Sequence, residues 1–297
     1  MIRFICKLLV FFVIFASVDF LVGFILKKMT DETVKGDIGR NNYIMKDLSN
    51  RDILIFGSSR AIHHYNPTLI GDSLKMSCYN CGEDGMGIIL SYSRLKAILT
   101  RHTPKVIIYD IEPTYDLYEN DNERYLGKLK FFYPNYGTKI VFDDISTTEK
   151  FKMHSLLYRY NSQLIDILIQ RLSSSPVTGQ DYTYSPIKKT MDYEPIISHI
   201  NNKQIDTLKM KYLNSFIRVC KYNNISLFFV LSPKYRNYTE LRFFIDLCKN
   251  NNVPLLNHFT DSYFNMNKKY FSDQTHLNED GAILFSKTIC DEIKKYK

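Results

Sequence analysis

Two short segments, one near each end of the chain, hold residue types that together could activate a nucleophile. Gly57-Ser58-Ser59-Arg60 follows the apolar run Asp52-Ile-Leu-Ile-Phe56. A serine on a sharp strand-to-helix turn exposes its hydroxyl where backbone N–H groups are unpaired and the helix dipole favours negative charge. Such a place suits a nucleophile and the oxyanion that its attack creates. The second segment, Ser272-Asp273-Gln274-Thr275-His276-Leu277-Asn278, stands just before the last helical pattern. An Asp three residues before a His in a turn can reach the imidazole and fix its tautomer, leaving the other ring nitrogen to face the nucleophile. Ser59, His276 and Asp273 are therefore the candidate nucleophile, base and orienting acid.

The elements that must position them can be read from apolar runs and turn signals. Asp52–Phe56, Met76–Asn80, Lys105–Ile111, Ser226–Leu231 and Val253–Asn257 are short apolar runs ended by Gly, Pro or polar residues, and read as buried strands. Helical spacing runs over Ile88–Arg101, His154–Leu172, Lys203–Asn223, Tyr238–Asn251 and Asp280–Lys295. Strands that are continuous apolar runs and alternate with helices predict an α/β fold, a doubly wound parallel sheet covered on both faces as a three-layer α/β/α sandwich. Ligands in such sheets bind beyond the carboxyl ends of the strands. Residues 114–149 are rich in Tyr, Asn and Asp with little periodicity, and Ser173–Pro195 reads as a second polar loop; together they form a Tyr-rich insertion around 114–200. Its tyrosines, Tyr115 and Tyr118 among them, could stack on sugar rings or pack the insertion onto the sheet.

The two segments resemble the blocks of the SGNH, or GDSL-type, hydrolases. That family carries its nucleophile in Gly-x-Ser after the first strand and its base in Asp-x-x-His before the last helix, as in Gly57-Ser58-Ser59 and Asp273-Gln274-Thr275-His276. Asn80 to Gly85 resembles the second block, Asn-x-x-x-x-Gly, and the run Asp-x-x-His-x-Asn-x-x-Gly continues through Gly281. The resemblance spans Asp52 to the C-terminus and implies the SGNH-hydrolase, flavodoxin-like sandwich. It implies that Ser59 attacks an ester carbonyl, that His276 moves the proton, that Asp273 orients the imidazole, and that the amides of Ser59 and Gly85 hold the oxyanion. The third block, Gly-x-Asn-Asp, is missing: after the third strand the chain reads Asp110-Ile111-Glu112-Pro113-Thr114, where only the Thr114 hydroxyl could replace the family's Asn donor. Ser58 also stands where the family often has Asp. Arg60 would pair with an anionic substrate group or form a structural salt bridge. His63 and His64, one helical turn past Ser59, would face the site, contact substrate or lie on the helix surface. Arg60, His63 and Tyr115 are the candidate substrate contacts.

Leu8–Leu26 is almost wholly apolar, interrupted by Asp19. A helix needs about 20 such residues to cross the hydrocarbon core, and the run exceeds the roughly 7–15 of a signal-peptide core. With no small-x-small cleavage pattern near Ala16, it reads as an uncleaved single-pass anchor. Arg3, Lys7 and the terminal amine precede it and Lys27 and Lys28 follow it, so the charge bias is small; the N-terminus is placed inside and the domain outside the cytoplasm, periplasmic in a bacterium. The organisation is then anchor 1–28, linker 29–50 and α/β/α domain 51–297.

Composition limits the classes that remain. The chain has 297 residues, 45% apolar and 24% charged, so it can bury a large core. Its net charge of +8 owes three charges to the flanks of the apolar run, and no basic block interleaves with aromatics, which argues against nucleic acid. Six cysteines are too few for a disulfide scaffold. Cys78 and Cys81 lack two further ligands for zinc and read as core residues, so no metal and no organic cofactor is implied. The function expected is ester hydrolysis or O-acyl transfer on an envelope or capsular carbohydrate; the alternatives are a non-catalytic assembly protein and a glycan-binding module of the same fold.

Overall fold

The computed structural model describes residues 1–161, 164–172, 177–182, 184–195, 204–237 and 240–296. In chain order its first elements are α1 (Ile2–Asp31), α2 (Gly36–Asn42), β1 (Ile53–Gly57), α3 (Ser59–His64), α4 (Pro67–Leu74), β2 (Cys78–Asn80), α5 (Ile88–Ile98) and β3 (Val106–Asp110). Six short helices follow: α6 (Pro113–Asp116), α7 (Arg124–Leu129), α8 (Tyr136–Ile145), α9 (Thr147–Lys152), α10 (Leu156–Asn161) and α11 (Leu164–Leu172). The chain closes with α12 (Thr207–Tyr222), β4 (Ser226–Leu231), α13 (Arg242–Asn250), β5 (Leu255–Asn257), α14 (Ser262–Asn265) and α15 (Glu279–Lys294). These elements form two compact units, one of residues 1–47 and 122–182, the other of residues 48–121 and 183–297.

The second unit is built on a five-stranded parallel sheet of order β2-β1-β3-β4-β5. Ile53–Gly57 pairs in register with Val106–Asp110, and Val106–Asp110 with Ser226–Val230. Alternate residues of each strand face opposite layers. Ile53, Ile55, Val106, Ile108, Phe228 and Val230 pack with Ile70, Leu74, Phe285 and Ile289 of α4 and α15. On the other face Phe56 and Tyr109 meet Phe216 of α12 edge to face, and Phe229 meets Phe244 of α13. Both faces are covered, so the central strands carry apolar side chains toward both layers, and the architecture is a three-layer α/β/α sandwich. The strand order reverses between β1 and β3, the place where such sheets open a crevice at their carboxyl ends.

The five expected strands are all present, with β2 and β5 each starting two residues later than expected. Lys75 takes a left-handed conformation that caps α4, and the Met76 amide bonds back to Gly71. Residues 76 and 77 therefore close the helix, and β2 starts at Cys78. Within the helical pattern over His154–Leu172, α10 starts behind Ser155, whose hydroxyl accepts from the Tyr158 amide, and α11 covers Leu164–Leu172. The expected helix starts at Lys203 and Tyr238, and the loop start at Ser173, lie outside the described residues.

The first unit is helical: α1, α2 and α7 to α11. The polar residues after α1 carry α2 and a wide helical turn over Tyr43–Asp47. The stretch around 124–152, without visible period, holds α7 to α9, with Asn135 and Ser146 as side-chain caps. Tyr125 is buried within this unit, and Tyr133 packs edge to face on Phe142 beneath the Arg159 guanidinium. Helix α1 is long and apolar enough to cross a membrane.

Candidate active site

Ser59 is the first residue of α3, reached from β1 through a turn that only glycine can make. Gly57 has φ +138, and a Cβ there would stand 2.5 Å from the Asp110 carbonyl oxygen. That close approach of β1 to β3 turns the chain sharply, and Ser59 rises over the sheet edge as the first helical residue. The loop after β2 is tied to the same turn: the Glu83 amide donates to Gly57 O at 3.1 Å. Arg94 holds that loop from below, donating to Cys81 O at 2.8 Å and to Glu83 Oε2 at 2.7 Å. Asn80 donates to the Ala61 and Tyr65 carbonyls and accepts from the Gly82 amide, so the second-block Asn braces the end of α3. Gly85, at φ +66, lies in this loop at the carboxyl end of the strand beside β1.

The loop before α15 brings the candidate base. His276 Nε2 lies 2.8 Å from Ser59 Oγ, and His276 Nδ1 lies 2.8 Å from Asp273 Oδ2. The other carboxylate oxygen, Oδ1, accepts from the Thr275 amide at 2.7 Å, the His276 amide at 2.9 Å and the Thr275 hydroxyl at 2.9 Å. Burial opposes the charge of Asp273, but the His276 imidazole and the two amides outweigh it and hold the carboxyl well below the usual range. A carboxylate at Nδ1 places the imidazole proton there and leaves Nε2 to accept from the serine. Asn278 accepts from the Gly281 amide and donates to Lys269 O, so one side chain caps α15 and fixes the end of the His276 loop.

Two further histidines surround His276. His63 stacks edge to face on it with ring centroids 5.5 Å apart. Its Nδ1 lies 2.5 Å from Ser185 O and its Nε2 3.3 Å from the Asp84 carboxylate. Burial opposes the His63 charge, but Asp84 and the Ser185 carbonyl outweigh it and raise the pKa. His64 is fully buried: its Nε2 accepts from the Leu277 amide at 2.9 Å and its Nδ1 donates to Ser232 Oγ at 3.1 Å. Burial, with the neighbouring His276, Arg60 and His63, drives its pKa well below the ordinary value, so His64 is a neutral strut that pins the His276 loop to α3.

Arg60 takes the structural alternative. It is 1% exposed and pairs with Asp110 at 3.3 Å and Glu112 at 3.1 Å, and it also donates to Ile111 O. It therefore braces the carboxyl end of β3 and has no open face for substrate. Tyr65 donates to Asp110 at 2.6 Å in the same network. Glu112, in the region of the missing third block, caps α6 by accepting from the Thr114 amide at 3.4 Å. The Thr114 carbonyl accepts from the buried Lys209 Nζ at 3.2 Å and from Asn120 at 2.8 Å. Tyr115 is half-buried in α6. Neither Ser232 nor Glu112 was legible as a site residue in sequence; the available signal was that each directly follows a strand at its carboxyl end.

No family model matches the sequence, and no curated protein does. Among solved structures the chain is similar to a lipolytic protein of the G-D-S-L family from Desulfitobacterium hafniense, at 10% identity over 81% of this chain and 98% of that one, with a TM-score of 0.42. It is similar to an acetyl xylan esterase at 12% identity over 81% of this chain and 99% of that one, with a TM-score of 0.40. An acylhydrolase from Bacteroides fragilis covers 91% of this chain and 94% of its own at 10% identity, with a TM-score of 0.40.

Proposed function

We propose that the protein is a membrane-anchored serine esterase or O-acyltransferase of the SGNH type. The observation that carries this reading is the unbroken relay from Ser59 Oγ to His276 to Asp273, each step 2.8 Å. Ser59 Oγ attacks the acyl carbonyl carbon while His276 Nε2 takes the hydroxyl proton. Asp273 stays ionised and stabilises the imidazolium through its bond to Nδ1. The negative charge that forms on the carbonyl oxygen is held by the amides of Ser59 and Gly85, with the Thr114 hydroxyl as the third donor. Collapse of the tetrahedral intermediate breaks the ester C–O bond, and His276 returns the proton to the departing alcohol. A water, or a hydroxyl of a second carbohydrate, then attacks the acyl-Ser59 ester with His276 again as base.

The apolar helix α1 supports an extracytoplasmic, membrane-tethered setting, and with it an O-acylated envelope or capsular carbohydrate as substrate. His63 and Tyr115 are the proposed substrate contacts.

The test is covalent labelling of the detergent-solubilised full chain with a fluorophosphonate, and mapping of the adduct by mass spectrometry. An adduct on Ser59 that vanishes in Ser59→Ala and falls sharply in His276→Ala is the expected result. Folded protein that takes no label would overturn the catalytic reading in favour of a glycan-binding or assembly role. Released acetate from an acetylated glycan, against acetylation of an added acceptor, separates hydrolase from transferase.

A further inference from the structure

Helix α1 changes character along its length. From Ile2 to Val18 every residue is exposed, whichever side of the helix it lies on. From Asp19 onward one stripe is covered: Asp19, Gly23, Leu26 and Thr30, spaced by four, three and four residues. What covers the start of this stripe is the N-terminus of α10. Asp19 accepts from the Ser155 hydroxyl, from the Leu156 amide at 3.0 Å and from the Leu157 amide at 3.3 Å. One turn further, a Cβ on Gly23 would stand 2.5 Å from Leu156 Cβ and 2.6 Å from the Leu157 nitrogen, so only glycine permits this approach. The charge inside the apolar run is thus a docking point for a second segment of the same chain.

Helix α11 also touches α1. Ile167 is fully buried, and Gln170 accepts from the Ile38 amide at 2.9 Å. The opposite side carries Leu164, Ile165, Leu168, Ile169 and Leu172, exposed by 41, 71, 42, 61 and 84%. At 100° per residue these five cover an arc of about 140°. Single exposed apolar residues are ordinary, but a continuous stripe of five marks an interaction surface.

We propose that this face of α11 lies in the bilayer interface, so that the first unit holds the membrane by two elements, the α1 span and the α11 face. The inference rests on the reading of α1 as a membrane span. Leu8 to Leu26 covers about 27 Å of helix, close to the roughly 30 Å of a hydrocarbon core. Asp19 and Gly23, where α10 docks, lie in the C-terminal half of this run, and α11 also touches α1. An apolar arc carried beside the end of the span is one that an amphipathic helix buries among the headgroups and upper acyl chains. A lipid surface is the occupant because this arc is continuous in the same unit with the membrane helix itself.

The test uses the full chain, carrying Cys6→Ser, in phosphatidylcholine vesicles. A nitrobenzoxadiazole probe is placed at Ile14→Cys in α1 or at Ile169→Cys in α11, both exposed positions, and vesicles with and without doxyl-labelled lipid are compared. The expected result is blue-shifted emission lost to doxyl lipid at both positions. Quenching at position 14 with water-like emission at 169 would overturn the α11 proposal and leave the anchor standing. Blue-shifted emission at 169 that doxyl lipid does not quench would mean that protein, such as a second copy, covers the face, and would also overturn it. Water-like emission at position 14 would remove the membrane reading of α1 and the proposal with it.

Discussion

Replacing Asp273 by Asn isolates what the carboxylate does for His276, because the loop dictates how the amide must sit. Oδ1 of Asp273 receives three donors, the Thr275 amide, the His276 amide and the Thr275 hydroxyl, while Oδ2 faces only His276 Nδ1. In Asp273→Asn the carbonyl oxygen takes the three-donor position and the NH2 group faces His276. The imidazole must then accept at Nδ1 and carry its proton on Nε2, where it can no longer take the Ser59 proton. Reversing the amide would set an NH2 against two backbone amides, at a cost of about 1–3 kcal/mol for each donor left without an acceptor. The competent tautomer is thus disfavoured by about 2–6 kcal/mol, a loss of roughly 30-fold to 10⁴-fold in turnover, at about 1.4 kcal/mol per decade. The fold keeps its loop bonds and should lose no more than about 1 kcal/mol. The assay pairs the fluorophosphonate labelling rate and hydrolysis of p-nitrophenyl acetate with a thermal melt. Turnover within about threefold of wild type in a folded Asp273→Asn protein would refute the idea that Asp273 sets the tautomer.

Acid titration of stability gives two further signs to check. Asp273 has a depressed pKa in the folded protein, so its contribution to stability is present above the unfolded value of about 4 and fades as pH falls below it; Asp273→Asn should lack that part of the acid response. His64 is held neutral by burial, so the unfolded chain binds the extra proton below about pH 6.5, and stability should fall with pH from there; His64→Gln should flatten the fall in a melting-temperature series from pH 7 to 5. Arg60→Met leaves Asp110 and Glu112 without their cation in a closed site and should cost about 3–5 kcal/mol by chemical denaturation; an unchanged midpoint would deny the bracing role. Gly57→Ala forces a Cβ to within 2.5 Å of the Asp110 carbonyl oxygen and strains a positive φ, and should cost more than about 1–3 kcal/mol by the same measurement.

The parallel sheet could be read from sequence because its strands are buried on both faces, which makes Ile53-Leu-Ile-Phe56 and Ser226-Leu-Phe-Phe-Val-Leu231 unbroken apolar runs bounded by turn residues. The relay was legible for a related reason. A serine at a strand end and a histidine at a helix start occupy positions that local turn chemistry marks, and Asp273 lies within reach of His276 by sequence alone. The helices α6 to α9 were not legible, since pieces of four to ten residues are too short to show a period and rest on side-chain caps and tertiary contacts. The partner of Arg60 was equally hidden. Whether that guanidinium meets substrate or Glu112 depends on the register of β1 against β3, which is set by packing between residues far apart in the chain. Asp19 is the strongest case. Inside an apolar run such an Asp is accommodated by tilt or by a partner helix, and which helix that is shows only in the return of the chain at Ser155, 136 residues later.

The absent third-block Asn leaves a specific question about the oxyanion. In the segment that follows β3 the chain places Glu112, an acceptor, and binds it to Arg60, so this side chain has no hydrogen to offer a developing negative charge. Thr114 lies two residues further, at the start of α6. Its amide is committed to Glu112 and its carbonyl to Lys209 and Asn120, which leaves the hydroxyl as its available donor. Thr114→Val keeps the shape and removes only that donor. Loss of one oxyanion donor costs about 10²–10³ in turnover, and the loss should fall on the acylation rate with little effect on the melting temperature or on substrate affinity. An acylation rate unchanged in Thr114→Val would restrict the hole to the amides of Ser59 and Gly85. The chain would then stabilise the oxyanion with two donors.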